Sequence, residues 1–261
     1  MHSIFPATEE RLARWKAQPE VLGVLLVGSK SQGHADELSD DDLEVLLTHE
    51  AFKKRKPDEC SEFLIEEVGE QRKVIYDTQY VSLTSLEHKL FSSSDLDHWP
   101  YERAQILFDR NGSVTPLVES LGRMSPDFRR KRLQHSTIDA WIAAARAKKA
   151  LLRGFEAASR LTVARGIKAL SRVLFALEWR WVPLDHWLDK ELQTLNDPTH
   201  ATPLLIEALK TGNPDLIDQA LTGLEGILAA EGIPGPAGRH ALFFELVHPE
   251  RSKERAVHGL H

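Results

Sequence analysis

The sequence predicts an α+β fold in which a small mixed-sheet domain is followed by an all-helical domain. Two observations support this prediction. The first part of the chain alternates short apolar and β-branched runs with turns, and after about Ser125 long segments with helical spacing take over. We therefore assign residues 1–115 to the first domain and residues 116–261 to the second. A ligand site is expected between them, because pockets favour domain interfaces.

The first domain is expected to contain two short helices and four strands. Thr8 can begin a helix over Glu9–Lys16, because a threonine hydroxyl accepts hydrogen bonds from the first N–H groups of a helix. A turn is expected at Val68–Glu70, and a short helix within Leu96–Asn111. Runs rich in apolar, β-branched and aromatic residues predict strands at Val21–Val27, Asp42–Thr48, Phe63–Val68 and Lys73–Leu83.

The second domain is expected to be entirely helical. Alanine and leucine are frequent there, and almost no segment alternates apolar with polar residues. Helical spacing predicts helices at Asp127–Arg153, Glu156–Trp181, Leu184–Leu195, Thr202–Lys210, Pro214–Ala230 and His240–Val247.

Composition limits the classes of partner. The 261-residue chain has a formal net charge of −6, so no overall basic field would attract nucleic acid, and a polymerase is disfavoured. The single Cys60 forms no internal disulfide, which is typical of a reducing compartment. The sequence lacks a signal-peptide pattern and any apolar run of membrane-spanning length, so we expect a cytoplasmic protein without a membrane partner.

The segment from Gly28 to Glu44 carries the main functional signal. A glycine at the end of a buried strand lets the backbone turn sharply and approach a ligand closely. If a helix starts nearby, its free N–H groups and the Ser29 hydroxyl can hold phosphate oxygens. An ordinary turn explains the Gly28–Ser29 pair equally well.

Three consecutive aspartates, Asp40, Asp41 and Asp42, stand at the entrance of the second predicted strand. Aspartate is a poor strand former, and crowded like charges repel, so a bound cation would explain the cluster. Strand periodicity puts Asp40, Asp42 and Glu44 on one face and Asp41 on the other. Such carboxylates can bind Mg²⁺, and a pair of ions can promote phosphoryl-type transfer. The alternative is a solvated acidic loop before the strand.

Together these features resemble the signature of the polymerase-beta-like nucleotidyltransferase superfamily. The resemblance comprises the Gly28–Ser29 step, the intervening loop, the Asp40-x-Asp42 pair and the following apolar strand. The stretch GSKSQGHADELSDDDLEVLL is also similar to small bacterial enzymes related to the aminoglycoside nucleotidyltransferases. The resemblance implies that Ser29 contacts the terminal phosphates and that Asp40 and Asp42 bind Mg²⁺. Asp42 and Glu44 fit a second register of the same pattern, and Asp41 departs from the apolar residue usual between the acids.

Three further side chains complete the candidate site. Many superfamily members add a third carboxylate from a later strand, and the resemblance implies that Asp77, within KVIYDTQYVSL, completes the metal site or accepts a proton from the attacking hydroxyl. Asp77 could instead lie on an exposed face. Lys30 follows Ser29, and Lys168 shares a predicted helical face with two arginines, so both lysines are candidates for binding the nucleotide. A solvated basic helix face is the alternative explanation for Lys168.

The predicted function is transfer of a nucleoside monophosphate to a hydroxyl group. The expected donor is ATP or another nucleoside triphosphate, the expected cofactor is Mg²⁺ as two ions, and the expected acceptor is a small molecule such as an antibiotic. The alternative function is a nucleotide-binding regulatory or toxin–antitoxin module that acts on a protein partner.

Overall fold

The structure is a computed structural model that describes residues 4–68 and 71–258. The chain divides into two compact units, unit 1 (Met1–Arg123) and unit 2 (Met124–His261). The turn expected at Val68–Glu70 falls on Gly69 and Glu70, which lie outside the described residues.

Unit 1 is built on a mixed five-stranded sheet in the part of the chain described, with strand order β3-β4-β2-β1-β5. The central neighbours β2 and β4 are parallel, and the other three pairs are antiparallel. This sheet together with the helices of both units confirms the predicted α+β class. The strands are β1 (Val21–Val27), β2 (Asp41–Leu47), β3 (Ser61–Val68), β4 (Gln71–Ser82) and β5 (Gln105–Asp109).

Helices pack on both faces of this sheet, because its central strands carry apolar side chains on both sides. On one face, Leu12 and Trp15 pack against Val24 and Val45. On the other face, Leu86 and Val118 pack with apolar residues of β1 and β2. The helices of unit 1 are α1 (Pro6–Ala17), α2 (Gly28–Gln32), α3 (His49–Lys54), α4 (Leu83–Lys89) and α5 (Val114–Leu121).

Two local expectations in unit 1 were wrong. Thr8 does not cap α1, which begins at Pro6 after Phe5; the Thr8 hydroxyl donates to a carboxylate on β2 instead. The short helix expected within Leu96–Asn111 is replaced by two 3₁₀ turns and the edge strand β5. The sequence of β5 has no strong strand signature, and its conformation comes from antiparallel pairing with β1.

Unit 2 is helical throughout its regular elements in the described residues. Its long helices α6 and α7 pack along each other through alanine-rich faces; the burial of Ala143, Ala144 and Ala169 is nearly complete. The expected helix Glu156–Trp181 ends earlier, because Trp179 adopts a positive φ. The helices are α6 (Pro126–Leu152), α7 (Glu156–Leu177), α8 (Leu188–Leu192), α9 (Ala201–Thr211), α10 (Asp215–Ala230), α11 (Arg239–Leu246) and α12 (Ser252–His258).

A helix needs about 20 predominantly apolar residues to cross a bilayer. Across residues 4–68 and 71–258, no helix combines the length and the apolar character that a bilayer crossing requires.

Candidate active site

The acidic strand β2 presents different chemistry on its two faces. Because side chains alternate along a strand, Asp41, Leu43 and Val45 point to the face covered by α1, and Asp42 and Glu44 point to the other. The predicted alternation is therefore confirmed for β2. The two faces have to be considered separately, because their carboxylates have different partners.

Asp41 is a fully buried structural residue. Its carboxylate accepts hydrogen bonds from the Phe5 backbone N–H at 2.8 Å and from the Thr8 hydroxyl at 2.6 Å. The Lys30 ammonium forms an ion pair with it at 2.6 Å and lies 3.6 Å from the centroid of the Phe5 ring. Lys30 is itself only 7% exposed. The Lys30 ammonium, which was predicted to bind nucleotide, is thus held in a buried ion pair with Asp41. The same carboxylate binds the start of α1 to the sheet through Phe5 and Thr8.

The Gly28–Ser29 turn lies directly against Asp42. Gly28 has a φ of +69°, a conformation that glycine adopts readily, and it starts the short helix α2. A Cβ atom at Gly28 would come within 1.8 Å of an Asp42 carboxylate oxygen, so no larger residue fits without movement. The Ser29 backbone N–H donates a hydrogen bond to the Asp42 carboxylate. The turn is closed by the Ser31 hydroxyl, which donates to the Gly28 carbonyl at 3.0 Å.

Sheet pairing brings Asp77 beside Asp42. In the parallel β2–β4 ladder these two residues are direct partners, so their side chains emerge side by side on the same face. Val27, the last residue of β1, pairs with Asp42 from the opposite side. Asp77 is exposed, whereas Asp42 is partly buried. Asp40 lies one residue before β2. The structure therefore brings the three predicted carboxylates together at one end of the sheet.

The electrostatics of this group show that the three carboxylates interact. Burial, with the nearby charges of Asp40 and Asp77, raises the pKa of Asp42 from 3.8 to about 7. Burial and the charges of Asp77 and Asp41 likewise raise the pKa of Asp40. In the described residues no basic side chain forms an ion pair with Asp40, Asp42 or Asp77. Negative charge is concentrated here; the Lys30 charge opposes the rise in the pKa of Asp40 only in part, and its own ion pair is with Asp41.

Glu44, the alternative ligand in the second register, has partners of its own. The Tyr101 hydroxyl donates to its carboxylate at 2.8–2.9 Å, and the Lys89 ammonium lies 3.5 Å away. Lys89 also donates to the Tyr101 hydroxyl at 2.5 Å. Burial and the Glu44 charge raise the pKa of Tyr101, so it stays a neutral donor. A carboxylate already held by a phenol and an ammonium is a poorer metal ligand than the unpaired Asp42, and we therefore favour the Asp40 and Asp42 register.

The donor chemistry at this end of the sheet suits a hard divalent cation, because all three groups offer carboxylate oxygens. Among residues 4–68 and 71–258, no three histidine, cysteine or carboxylate side chains are placed to hold an ion by themselves. Mg²⁺ commonly uses only one or two carboxylates and completes its shell with water and substrate phosphates. Asp40 and Asp42 fit that mode of binding, which needs a nucleotide to complete it.

Lys168 lies in unit 2 and has a carboxylate partner there. Its ammonium is 3.1 Å from Asp185, and both side chains are well exposed. Arg165, on the same helical face, pairs with the nearly buried Asp139. The predicted basic face of α7 is therefore already paired with acids of unit 2 at these two positions.

Comparisons with known proteins give little functional information about this chain. A family model described as "Domain of unknown function (DUF4037)" matches residues 96–188. No curated protein matches. Among the solved structures that match is that of a nucleotidyltransferase-like protein from Exiguobacterium sibiricum 255-15, with 18% identity, a TM-score of 0.46, and coverage of 94% of this chain and 80% of that one. A similarity this low establishes no activity, so the proposal below depends on the carboxylates and the turn.

Sequence patterns alone did not predict two features of the site. The first is the hydrogen-bonded group of Glu44, Tyr101 and Lys89, whose members are distant in sequence and form no recognisable motif. The second is the structural role of Asp41. Its position on the opposite face of the strand was a signal for that role, because an inward-facing carboxylate needs buried partners.

Proposed function

We propose that unit 1 is a nucleotidyltransferase that moves a nucleoside monophosphate to a hydroxyl group. The proposed donor is ATP, so the group transferred is AMP. The observation that carries this proposal is the group of Asp40, Asp42 and Asp77 next to the Gly28–Ser29 turn. The three carboxylates form no ion pair with a basic side chain in the described residues, and burial together with the charges of Asp40 and Asp77 raises the pKa of Asp42 to about 7. Such a destabilising arrangement is typical of a site that awaits a cation.

Asp40 and Asp42 would hold the divalent cation. The raised pKa of Asp42 supports this role, because a bound cation would favour the ionised carboxylate and remove the repulsion. When bound, Mg²⁺ would neutralise charge on the phosphates and on the leaving pyrophosphate. The Ser29 backbone N–H, which donates to Asp42, keeps that carboxylate oriented in the absence of the cation.

The Gly28–Ser29 turn would receive the triphosphate. The absence of a side chain at Gly28 lets the Asp42 carboxylate lie against the turn, so a cation held by Asp42 would bring the phosphates beside Ser29. In the described residues the Ser29 hydroxyl makes no hydrogen bond, although the residue is only 6% exposed, so it remains able to donate to a phosphate. Lys30 is not part of this proposed site, because its ammonium is buried against Asp41.

Asp77 would accept the proton of the attacking hydroxyl. It is exposed and has no ion pair in the described residues, so its carboxylate is accessible to the attacking hydroxyl. The hydroxyl oxygen forms a bond to the α-phosphorus while the bond to the bridging oxygen breaks. Pyrophosphate leaves with that electron pair, and the hydroxyl proton passes to Asp77. Positioning and charge neutralisation supply most of the catalysis in reactions of this type.

The acceptor that we propose is a hydroxyl-bearing small molecule such as an antibiotic. This part of the proposal extends the resemblance of the segment Gly28–Glu44 to small bacterial nucleotidyltransferases. A protein side chain is the alternative acceptor, as expected for a regulatory or toxin–antitoxin module. The experiment below separates the two.

The test is incubation of the purified protein with each of the four α-³²P-labelled nucleoside triphosphates and Mg²⁺, against a panel of hydroxylated antibiotics and against cell-extract proteins. Asp42→Asn is the loss-of-site variant. Asp58→Asn is the matched control, because it removes a carboxylate from an exposed turn of the same unit. We expect label transfer to a small molecule with the wild type and Asp58→Asn, and none with Asp42→Asn.

Other outcomes assign the protein differently. Label on a protein band alone would identify a protein-modifying enzyme. Nucleotide binding without transfer to any acceptor would indicate a regulatory module. Full transfer by Asp42→Asn would show that the carboxylate group is not the catalytic site.

A further inference from the structure

Unit 2 contains an open groove between α6 and α11. Its cavity volume is about 320 Å³, at the lower end of the range of small-molecule pockets. Successive turns of α6 form its floor, and the first turn of α11 forms one wall. The lining residues are Trp141, Ile142, Ala145, Arg146, Lys149 and His240.

Two aromatic rings form the apolar part of this groove. The Trp141 indole and the His240 imidazole meet edge to face, with ring centroids 4.9 Å apart and planes at 89°. This geometry is favourable for aromatic pairs and fixes the orientation of both rings. Trp141 is only partly buried, and His240 is exposed, so part of the aromatic surface stays accessible. A planar ring of a ligand could pack there.

The charged part of the groove is entirely basic. Arg146 and Lys149 stand three residues apart on the same side of α6, and both are exposed. Neither forms an ion pair in the part of the chain that the structure describes. Their neighbour Lys148 points elsewhere and is paired with Asp215 and Asp218. A chain of net charge −6 thus has two uncompensated cations at the edge of an aromatic groove that no acidic side chain lines.

This combination of groups selects a particular class of ligand. An apolar, partly exposed aromatic floor attracts a ring, and two exposed cations at the rim of the groove attract a phosphate or carboxylate. The small volume and the short length of the floor suit a single ring with one acidic substituent better than a longer polymer. An uncharged ring would leave both cations unpaired, and a simple anion would leave the aromatic floor uncovered.

We propose that the groove lined by Trp141, Arg146, Lys149 and His240 is a binding site for a small aromatic organic anion. The ring of the ligand packs against Trp141, and its phosphate or carboxylate group pairs with Arg146 and Lys149. The site belongs to unit 2 alone, and it stands independently of the nucleotidyl transfer proposed for unit 1.

Isothermal titration calorimetry with phenyl phosphate tests this proposal, with benzoate as the carboxylate probe. Inorganic phosphate serves as the anion without a ring, and benzyl alcohol as the ring without a charge. The 261-residue chain is used without added metal. We expect saturable one-to-one binding of phenyl phosphate or benzoate, and affinity lower by about tenfold or more for both comparison probes.

The variant Arg146→Ala/Lys149→Ala is expected to lose about tenfold or more in affinity for phenyl phosphate. It should fold normally, because both side chains are exposed and unpaired in the described residues. Lys53→Ala/Lys54→Ala is the matched control, since it removes two exposed cations from α3 of unit 1. This control should bind phenyl phosphate like the wild type.

The proposal is overturned if neither aromatic anion binds, or if inorganic phosphate binds as tightly as phenyl phosphate. It is equally overturned if Arg146→Ala/Lys149→Ala binds like the wild type. Binding of a polyglutamate peptide without binding of phenyl phosphate or benzoate would identify an acidic protein partner and would contradict the small-molecule site.

Discussion

Asp41 and Asp42 are adjacent in sequence, yet their surroundings differ in every respect that matters for a carboxylate. Asp41 is fully buried and receives a backbone N–H, a hydroxyl and an ammonium. Asp42 is partly buried and receives one backbone N–H, and the negative charges of Asp40, Asp77 and Asp41 all raise its pKa. Strand geometry produces the difference, because consecutive side chains point to opposite faces of the sheet.

This comparison separates a structural acid from a candidate catalytic acid. A carboxylate that stabilises the fold is expected to have its charge compensated within the protein. A carboxylate that binds a substrate cation is expected to lack that compensation until the ligand arrives. Single changes on either side of this comparison are expected to have measurable consequences of very different size.

The largest effect is expected from Asp42→Asn, which removes a charged ligand but keeps the size of the side chain. We expect nucleotidyl transfer to fall by about a thousandfold, the scale found when a key electrostatic group is removed from an active site. The measurement is the rate of label transfer with the acceptor found in the screen described above. Circular dichroism should show an unchanged fold. A rate within a factor of a few of the wild type would remove Asp42 from the catalytic set.

Asp41→Asn is expected to damage stability. It leaves the Lys30 ammonium buried without its counter-ion, and breaking a buried pair in this way costs about 3–5 kcal/mol. Urea denaturation would measure the loss in the free energy of unfolding. The double variant Lys30→Met/Asp41→Asn removes both charges and should recover part of that loss. Equal stability of Asp41→Asn and the wild type would contradict a structural role for this residue.

Asp77→Asn is expected to affect activity without affecting stability. If Asp77 accepts the hydroxyl proton, the transfer rate should fall by about a hundredfold, as for loss of a general base. The side chain is exposed and unpaired in the described residues, so the free energy of unfolding should change by no more than about 0.5 kcal/mol. A normal rate for this variant would leave Asp40 and Asp42 as the only catalytic carboxylates of the proposal.

The smallest effect concerns the pH dependence of stability without metal. The folded protein raises the pKa of Asp42 from 3.8 to about 7, so between these values the folded state binds more protons than the unfolded state. The free energy of unfolding should therefore fall as pH rises from about 4 to 7. Asp42→Asn has no carboxyl group to titrate at this position, so its free energy of unfolding should not fall in this way. At pH 8 it should exceed that of the wild type by about 1–2 kcal/mol. The full pKa shift would imply a larger difference, but solvent screens this partly exposed group.

Thermal unfolding at several pH values, with a chelator present, measures that difference. Adding Mg²⁺ with a nucleoside triphosphate at pH 8 should raise the melting temperature of the wild type, because a ligand that binds only the folded state stabilises it. The same addition should have a much smaller effect on Asp42→Asn. Identical pH profiles for the two proteins would argue against the electrostatic coupling among Asp40, Asp42 and Asp77.

Several parts of the fold could be predicted because their signals are local. The apolar run of β1, the alternation along β2 and the helical spacing of α6, α7 and α10 each depend on residues within one element. The edge strand β5 and the true start of α1 could not be predicted in the same way. Both depend on partners elsewhere in the chain. Strand β5 forms by pairing with β1, and the first residues of α1 are held by hydrogen bonds to the Asp41 carboxylate.

The sequence by itself determined which carboxylates share a face of β2, because side-chain alternation has a period of two residues and needs no partner. It also determined the position of the Gly28 turn at the end of a buried strand. Only the tertiary structure decided that Asp77 stands directly beside Asp42, since this depends on which strand lies next to β2. Tertiary structure likewise decided that Lys30 compensates Asp41 and that Tyr101 and Lys89 hold Glu44. Two opposite charges compensate each other only when they are close in space. Residues far apart in sequence come that close only when the chain folds.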